Sequence, residues 1–325
     1  MVLALCCLLV GGHIQTGQWT VISDSILDEL SKTHPAPTDP YATVTAGISV
    51  DRTNGDVYML ANNIGICKST DKGKTFHLVS GDAVTGRFET AGGLNIDPRG
   101  RRLMCFSIYG SSAYSPDAGK TWQKSTMSHL DYGTVDWSTS GKALLAIGHE
   151  SGGKLLISPD KGQTWETLGT GFWGVGMFDR NTLLSGKDGI QRSIDGGKSW
   201  TTVSTDKVAA SVMVDFKGVG YWLGEKGLLQ SKDKGATWQR IGATPVGASV
   251  GPIFGKNERE MVIGAPSGLY STIDSGVSWN LVASLAPEIK ILKGGLYGTY
   301  GWDPIHNIFY ASQMRMPAYR YVAGK

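Results

Sequence analysis

The sequence predicts an all-β chain built from short strands and tight turns, and three observations carry that expectation. Glycine supplies 45 of 325 residues, about twice its usual share, alongside ten Trp and only 12 Pro. One octapeptide recurs six times along the chain. Short apolar strand pairs precede its copies. With 41% apolar residues there is material for a full core, which excludes a disordered or fibrous chain. A net charge of +3, from 31 basic and 28 acidic residues, lacks the basic excess of a phosphate-tracking nucleic-acid binder.

The repeat begins as Ser69-Thr-Asp71-Lys-Gly73-Lys-Thr75-Phe76 and returns as Ser115-Pro-Asp117-Ala-Gly119-Lys-Thr121-Trp122 and Ser158-Pro-Asp160-Lys-Gly162-Gln-Thr164-Trp165. Three more copies follow: Ser193-Ile-Asp195-Gly-Gly197-Lys-Ser199-Trp200, Ser231-Lys-Asp233-Lys-Gly235-Ala-Thr237-Trp238 and Thr272-Ile-Asp274-Ser-Gly276-Val-Ser278-Trp279. Each part has a task in a hairpin turn. The Asp accepts backbone N–H groups, the Gly supplies positive φ, the hydroxyls tie the turn ends, and the aromatic ring packs between sheets. The aspartates are 46, 43, 35, 38 and 41 residues apart. That spacing matches a propeller blade of four strands and about 40 residues.

Strand pairs stand upstream of the repeats, as in Gly47–Asp51 with Asp56–Leu60 and Leu94–Asp97 with Arg102–Phe106. A pair without an octapeptide, Tyr300–Pro304 with Ile308–Ser312, is followed by Tyr319–Val322. Six turn-bearing blades and this one make a seven-bladed β-propeller. Its last blade lacks an outer strand, and Gln18-Trp19-Thr20-Val21 resembles the segment after an octapeptide. The N-terminal strand is therefore expected to close the ring and remove its open edge. Residues 17–325 then form one domain, with Ser23–Thr45 as its longest irregular insertion.

The octapeptide resembles the Asp-box, or BNR repeat, of the sialidase-like β-propeller superfamily, from about Gly47 to the end. The resemblance implies that the boxes lie on the blade periphery and that ligands meet the opposite face. On that face stand the loops joining one blade to the next and those linking the middle strands within a blade. Similar boxes occur in photosystem assembly factors and sortilin-type receptors, which implies a second possibility, a bowl holding a peptide or glycan without chemistry.

Candidate catalytic residues on these loops are Glu89, His129, Asp131, Tyr132, His149 and Glu150. Candidate substrate-binding residues are Arg87, Tyr109, Trp173, Lys187, Tyr297, Tyr300 and Arg315. Aromatic rings stack on apolar sugar faces, and charges pair with carboxylates or hydroxyls. The expected activity is glycan binding by an exported propeller, with hydrolysis or elimination at acidic sugars. A hydrolase would pair Glu89, Asp131 or Glu150, whereas a lyase would use His129 or His149 to take a proton and Tyr132 to supply one. The alternative is a non-catalytic binding or assembly propeller. Sialidases of this fold use three arginines and an Arg-Ile-Pro stretch; the stretch is missing, and only Arg87 and Arg315 suit the bowl, so a sialidase is disfavoured.

Other motif matches carry no chemistry. Gly247-Ala-Ser-Val-Gly251 lacks the strand–turn–helix context of a nucleophile elbow, and the Gly-Lys-Thr/Ser tripeptides lack a P-loop's leading glycine. Six scattered His suggest no metal site, and no cofactor is expected. Residues 1–16, with the apolar run MVLALCCLLV, read as a truncated signal peptide without its basic region. The mature chain is expected to be secreted or periplasmic, monomeric, without a membrane span, and to bind a glycan or peptide. Cys67 and Cys105 would remain, as one disulfide or two buried thiols.

Overall fold

The computed structural model describes residues 17–34, 44–139, 141–292, 294–295 and 298–324. The expected signal segment, together with Tyr297, lies outside them. Seven four-stranded antiparallel sheets form a seven-bladed β-propeller, as the repeat spacing predicts. Blade one runs outward through Thr45–Val50, Val57–Ala61, Gly65–Ser69 and His77–Leu78. The inner strands of blades two to seven are Leu94–Ile96, Leu130–Asp136, Trp173–Met177, Val214–Phe216, Val250–Phe254 and Gly298–Asp303. Apolar side chains fill the spaces between blades: Phe178, Trp222 and Phe254 belong to one cluster spanning blades four to six. Middle strands such as Val57–Ala61 and Ala143–Gly148 are buried throughout, because each blade is covered on both faces.

The N-terminal strand Trp19–Val21 pairs antiparallel with Tyr319–Val322, with Trp19 opposite Tyr321, and completes blade seven. Hydrogen bonding thus joins the first described strand to the last, leaving no unpaired gap in the ring. The segment after this strand corrects an expectation. Instead of irregular chain, Asp24–Thr33 forms a ten-residue α-helix, while 35–43 lie outside the described residues. Ile26 and Leu30, one helical turn apart, bury one face against a cluster that includes Met59, Cys67 and Tyr310. Asp24 in the first turn and Lys32 in the last suit the helix dipole.

All six octapeptides form the same closed turn between third and outer strands. In blade one, Ser69 Oγ accepts the Gly73 N–H at 2.9 Å and donates to Asp71 Oδ1 at 2.8 Å. Asp71 also accepts the Thr75 N–H at 2.9 Å and the Thr75 hydroxyl at 2.7 Å. The turn glycines have φ between 74° and 93°. A side chain on Gly197 would also strike Leu168 of blade three at 2.4 Å, so glycine answers to both conformation and neighbour. Trp122, Trp165 and Trp200 donate their indole N–H to the turn-glycine carbonyl at 3.0 Å, whereas the buried Trp238 and Trp279 nitrogens have no partner.

A second repeated device escaped the sequence reading. An Asp stands at or just past the end of the inner strand in six blades, at Asp51, Asp97, Asp136, Asp179, Asp303 and, one residue before the end of Val214–Phe216, Asp215. Each caps the turn to the second strand by accepting backbone N–H groups, for example Thr53 on Asp51 at 2.8 Å and Arg101 on Asp97 at 2.7 Å. Gly255 stands at this place in blade six. Cys67 and Cys105 are buried free thiols in neighbouring blades, so the structure resolves that pair without a disulfide. Burial pushes the Cys67 thiol up to about 12, which keeps it protonated and unreactive. Among the described residues, no helix is long and apolar enough to cross a membrane.

Candidate functional site

The candidate residues of blades two and three converge on the face opposite the octapeptides. Strand pairing explains why. The loop before blade two bridges to that blade's middle hairpin through Arg87 and Ile108. The loop before blade three does the same where the His149 N–H meets the His129 carbonyl at 2.7 Å. These ties bring Arg87, Glu89, Tyr109, His129, Asp131, His149 and Glu150 together from four loops.

His149 is the centre of the group and is largely buried, its side chain 15% exposed. Its Nδ1 lies 2.6 Å from Asp131 Oδ1, and its Nε2 lies 3.1 Å from the Tyr109 hydroxyl and 3.6 Å from Glu150 Oε1. A carboxylate accepts only, so Asp131 holds the proton on Nδ1 and leaves the Nε2 lone pair facing Tyr109. The Tyr109 ring meets His129 and His149 edge-on at 5.1 and 5.0 Å, and the Arg87 guanidinium lies 4.8 Å from its centroid. Tyr109, His129 and Glu150 all adopt left-handed backbone, with φ of 55°, 57° and 49°. A bulky ring at such a position is uncommon. The middle-hairpin turn of blade one carries Asn63 in the same conformation, which suits that residue better.

Beneath this layer, Arg87 Nε lies 2.9 Å from Glu89 Oε2, with the Glu89 side chain 2% exposed. Burial raises the Glu89 carboxyl, opposed by the positive Arg87 and by His149. Burial likewise raises Asp131, opposed by its hydrogen bond to His149. Desolvation and the nearby Glu150 carboxylate push the Tyr109 phenol up, with Arg87 opposing, so it stays protonated at neutral pH. Beside the cluster opens a cavity of about 560 Å³ walled by Asp131, Glu150, Phe172, Trp173, Ser211 and Gly294. The exposed Lys187 holds its ammonium 5.2 Å over the Phe172 ring at the edge of this region.

Two residues expected at the bowl surface are buried, Tyr132 in the wall of that same cavity and Tyr300 away from it. Tyr132 is buried, its hydroxyl accepts the Gly174 N–H at 3.3 Å, and burial pushes it up to about 12. Tyr109, not Tyr132, is the phenol beside His149. Tyr300 is buried in the cluster between blades six and seven, edge-on to Trp19 at 6.5 Å, because the closing strand covers it. Arg315 is exposed on blade seven's middle turn with φ of 69°, outside the blade two and three group. Phe172 and Ser211 were missed; only the Gly-Phe-Trp run around Trp173 pointed toward the first. Among the described residues, no group of three or more His, Cys, Asp or Glu is placed to hold a metal ion.

No family model matches the chain, and no curated protein does. Solved structures do resemble it. A structure of YCF48 bound to D1 peptide is 11% identical, with TM-score 0.55 over 96% of this chain and 97% of that one. YCF48 from Cyanidioschyzon merolae is 11% identical, with TM-score 0.52 over 94% and 98%. An ancestral GH74 enzyme is 14% identical, with TM-score 0.52 over 88% of this chain but 47% of its own. The propeller fold is thus shared by binding proteins and glycoside hydrolases alike, and at such identity the likeness concerns the fold.

Proposed function

We propose that the chain is an exported Asp-box propeller that binds an acidic glycan on its open face and cleaves it by elimination. One observation carries this reading: His149 is held by Asp131 on one nitrogen and presents the other to a phenol at 3.1 Å. That is a general base with its orienting carboxylate and a neighbouring proton donor. Trp173, half-buried at the cavity wall, offers a ring for a sugar face, and Lys187 lies near enough to attract an acidic polymer. In the step, His149 Nε2 takes the proton α to the uronate carboxylate. The electron pair forms the new C=C bond, the glycosidic C–O bond breaks, and the Tyr109 hydroxyl protonates the departing oxygen.

Arg87 is engaged with Glu89, so it serves the base of the site more than a substrate carboxylate. A peptide-binding role is favoured by a different observation: the chain matches the peptide-bound YCF48 over 96% of its own residues and 97% of that structure's. The test is a panel of uronate polysaccharides followed by ultraviolet absorbance of the unsaturated product. Turnover is expected for at least one polymer, and His149→Ala should lower it by about 10²–10⁴-fold with the fold intact by circular dichroism. Binding without absorbance across the panel would leave the peptide or lectin reading in its place.

A further inference from the structure

The ring has a second face. On the octapeptide side, the inner strands of blades one to five surround a cavity of about 570 Å³, which the open-face chemistry does not use. Its walls are apolar at Met177, Phe178 and Met213, and two cations stand at its mouth, Arg52 and Lys217. Both lie over the ring of Phe216, the Arg52 guanidinium at 4.8 Å and the Lys217 ammonium at 5.4 Å from its centroid. The two charges are therefore within about 10 Å of each other, close enough to repel where water is limited. Phe216 is itself fixed by stacking on Phe254 at 4.4 Å.

Among the described residues, neither cation makes a hydrogen bond or an ion pair. Arg52 is half-buried, and burial lowers its affinity for the proton despite the adjacent Asp51. A guanidinium taken partly out of water with none of its donors used is costly. None of the carboxylates lining the cavity forms an ion pair with either cation, although Asp51 Oδ2 is buried without a hydrogen-bond partner. Asp51 Oδ1 accepts the Thr53 N–H and hydroxyl, Asp97 pairs with Arg102 at 2.8 Å, and Asp215 accepts the Gly218 N–H at 2.7 Å.

We infer that this mouth is a second ligand site, for a small carboxylate with an apolar body: the carboxylate on Arg52 and Lys217, the apolar part against Phe178 and the two methionines. A monoanion fits better than a phosphate dianion, since a second negative charge would face Asp51, Asp136 and Asp215. The inference is independent of the open-face chemistry.

Isothermal titration of the full chain with phenylbutyrate, and with phenylbutanol as its uncharged counterpart, tests it. Phenylbutyrate should saturate one site in the millimolar range or tighter and bind at least about tenfold better than the alcohol. Arg52→Ala should weaken it by about tenfold or more, Lys217→Ala by a few-fold, and His149→Ala should leave it unchanged. Should Arg52→Ala fail to fold, Lys217→Ala and the alcohol comparison decide. Equal affinity for acid and alcohol, indifference to both cation variants, loss on His149→Ala, or no saturation by about 10 mM would each overturn the inference.

Discussion

The two faces of the ring satisfy their polar groups in different ways. On the turn face, the Ser or Thr and Asp side chains of each octapeptide close their hydrogen bonds within the eight residues, so Asp233 and Thr237 need nothing from another blade. On the open face, the polar groups of blades two and three reach across loops: Asp131 meets His149, which meets Tyr109, and beneath them Glu89 is buried against Arg87 of its own loop. Local satisfaction allows a motif to repeat, because any blade can carry it. A network such as His149 with Asp131 and Tyr109 does not transfer from blade to blade in this way, since its members depend on partners supplied by other loops. The difference separates scaffold from candidate chemistry without appeal to any known relative.

The comparison breaks most readily at Glu89. Alanine there leaves Arg87 without its buried counter-ion, and urea unfolding should show a loss of about 3 kcal/mol. A loss below about 1 kcal/mol would mean that the open-face network is no more interdependent than a surface pair. The same substitution at Asp233 should cost about 1 kcal/mol, since its bonds are local and solvent-exposed. Blades should also respond alike: thermal unfolding of Asp117→Ala and Asp160→Ala should match Asp233→Ala, and a single outlying blade would contradict the picture of interchangeable turns.

Acid sharpens the contrast with a smaller effect. Hydrogen bonds from the Thr237 hydroxyl and N–H hold Asp233 at about 2, below the ordinary carboxylate value of about 3.9. Its contribution is therefore present above about pH 3.9 and lost as pH falls toward 2. Glu89 and Asp131 are raised, so the sign reverses: their contribution is present below the unfolded value and lost as pH rises through the folded one. Melting temperature followed from neutral pH downward should fall less steeply in Asp233→Asn and more steeply in Glu89→Gln. Identical profiles for the two variants would remove the electrostatic distinction between the faces.

Much of the architecture was legible because it rests on local chemistry. The octapeptide names its own turn, and seven strand pairs with a Trp-bearing N-terminal strand imply a closed ring. The helix at Asp24–Thr33 has its signal in the apolar spacing of Ile26 and Leu30, but two apolar residues over ten positions are a weak pattern beside the six-fold β-repeat. The inner-turn aspartates were visible in six blades, yet a lone Asp after a strand carries little signal until its N–H partners are known. The site was legible only in part. The sequence reading placed Tyr132 on a loop of the bowl, but it belongs to the inner strand Leu130–Asp136, where alternation buries its ring beside the cavity.

The chain by itself determined the number of blades, the turn that ends each third strand and the strand that closes the ring, since these depend on residues near one another or on a repeat. Only the tertiary structure decided that Tyr109 meets His149, that Glu89 is buried against Arg87, and that Arg52 of blade one lies over Phe216 of blade five. The first and last of these contacts join residues from different loops and blades, and the burial of the Arg87–Glu89 pair, two residues apart on one loop, likewise follows from how the blades pack around the ring, which no local pattern encodes.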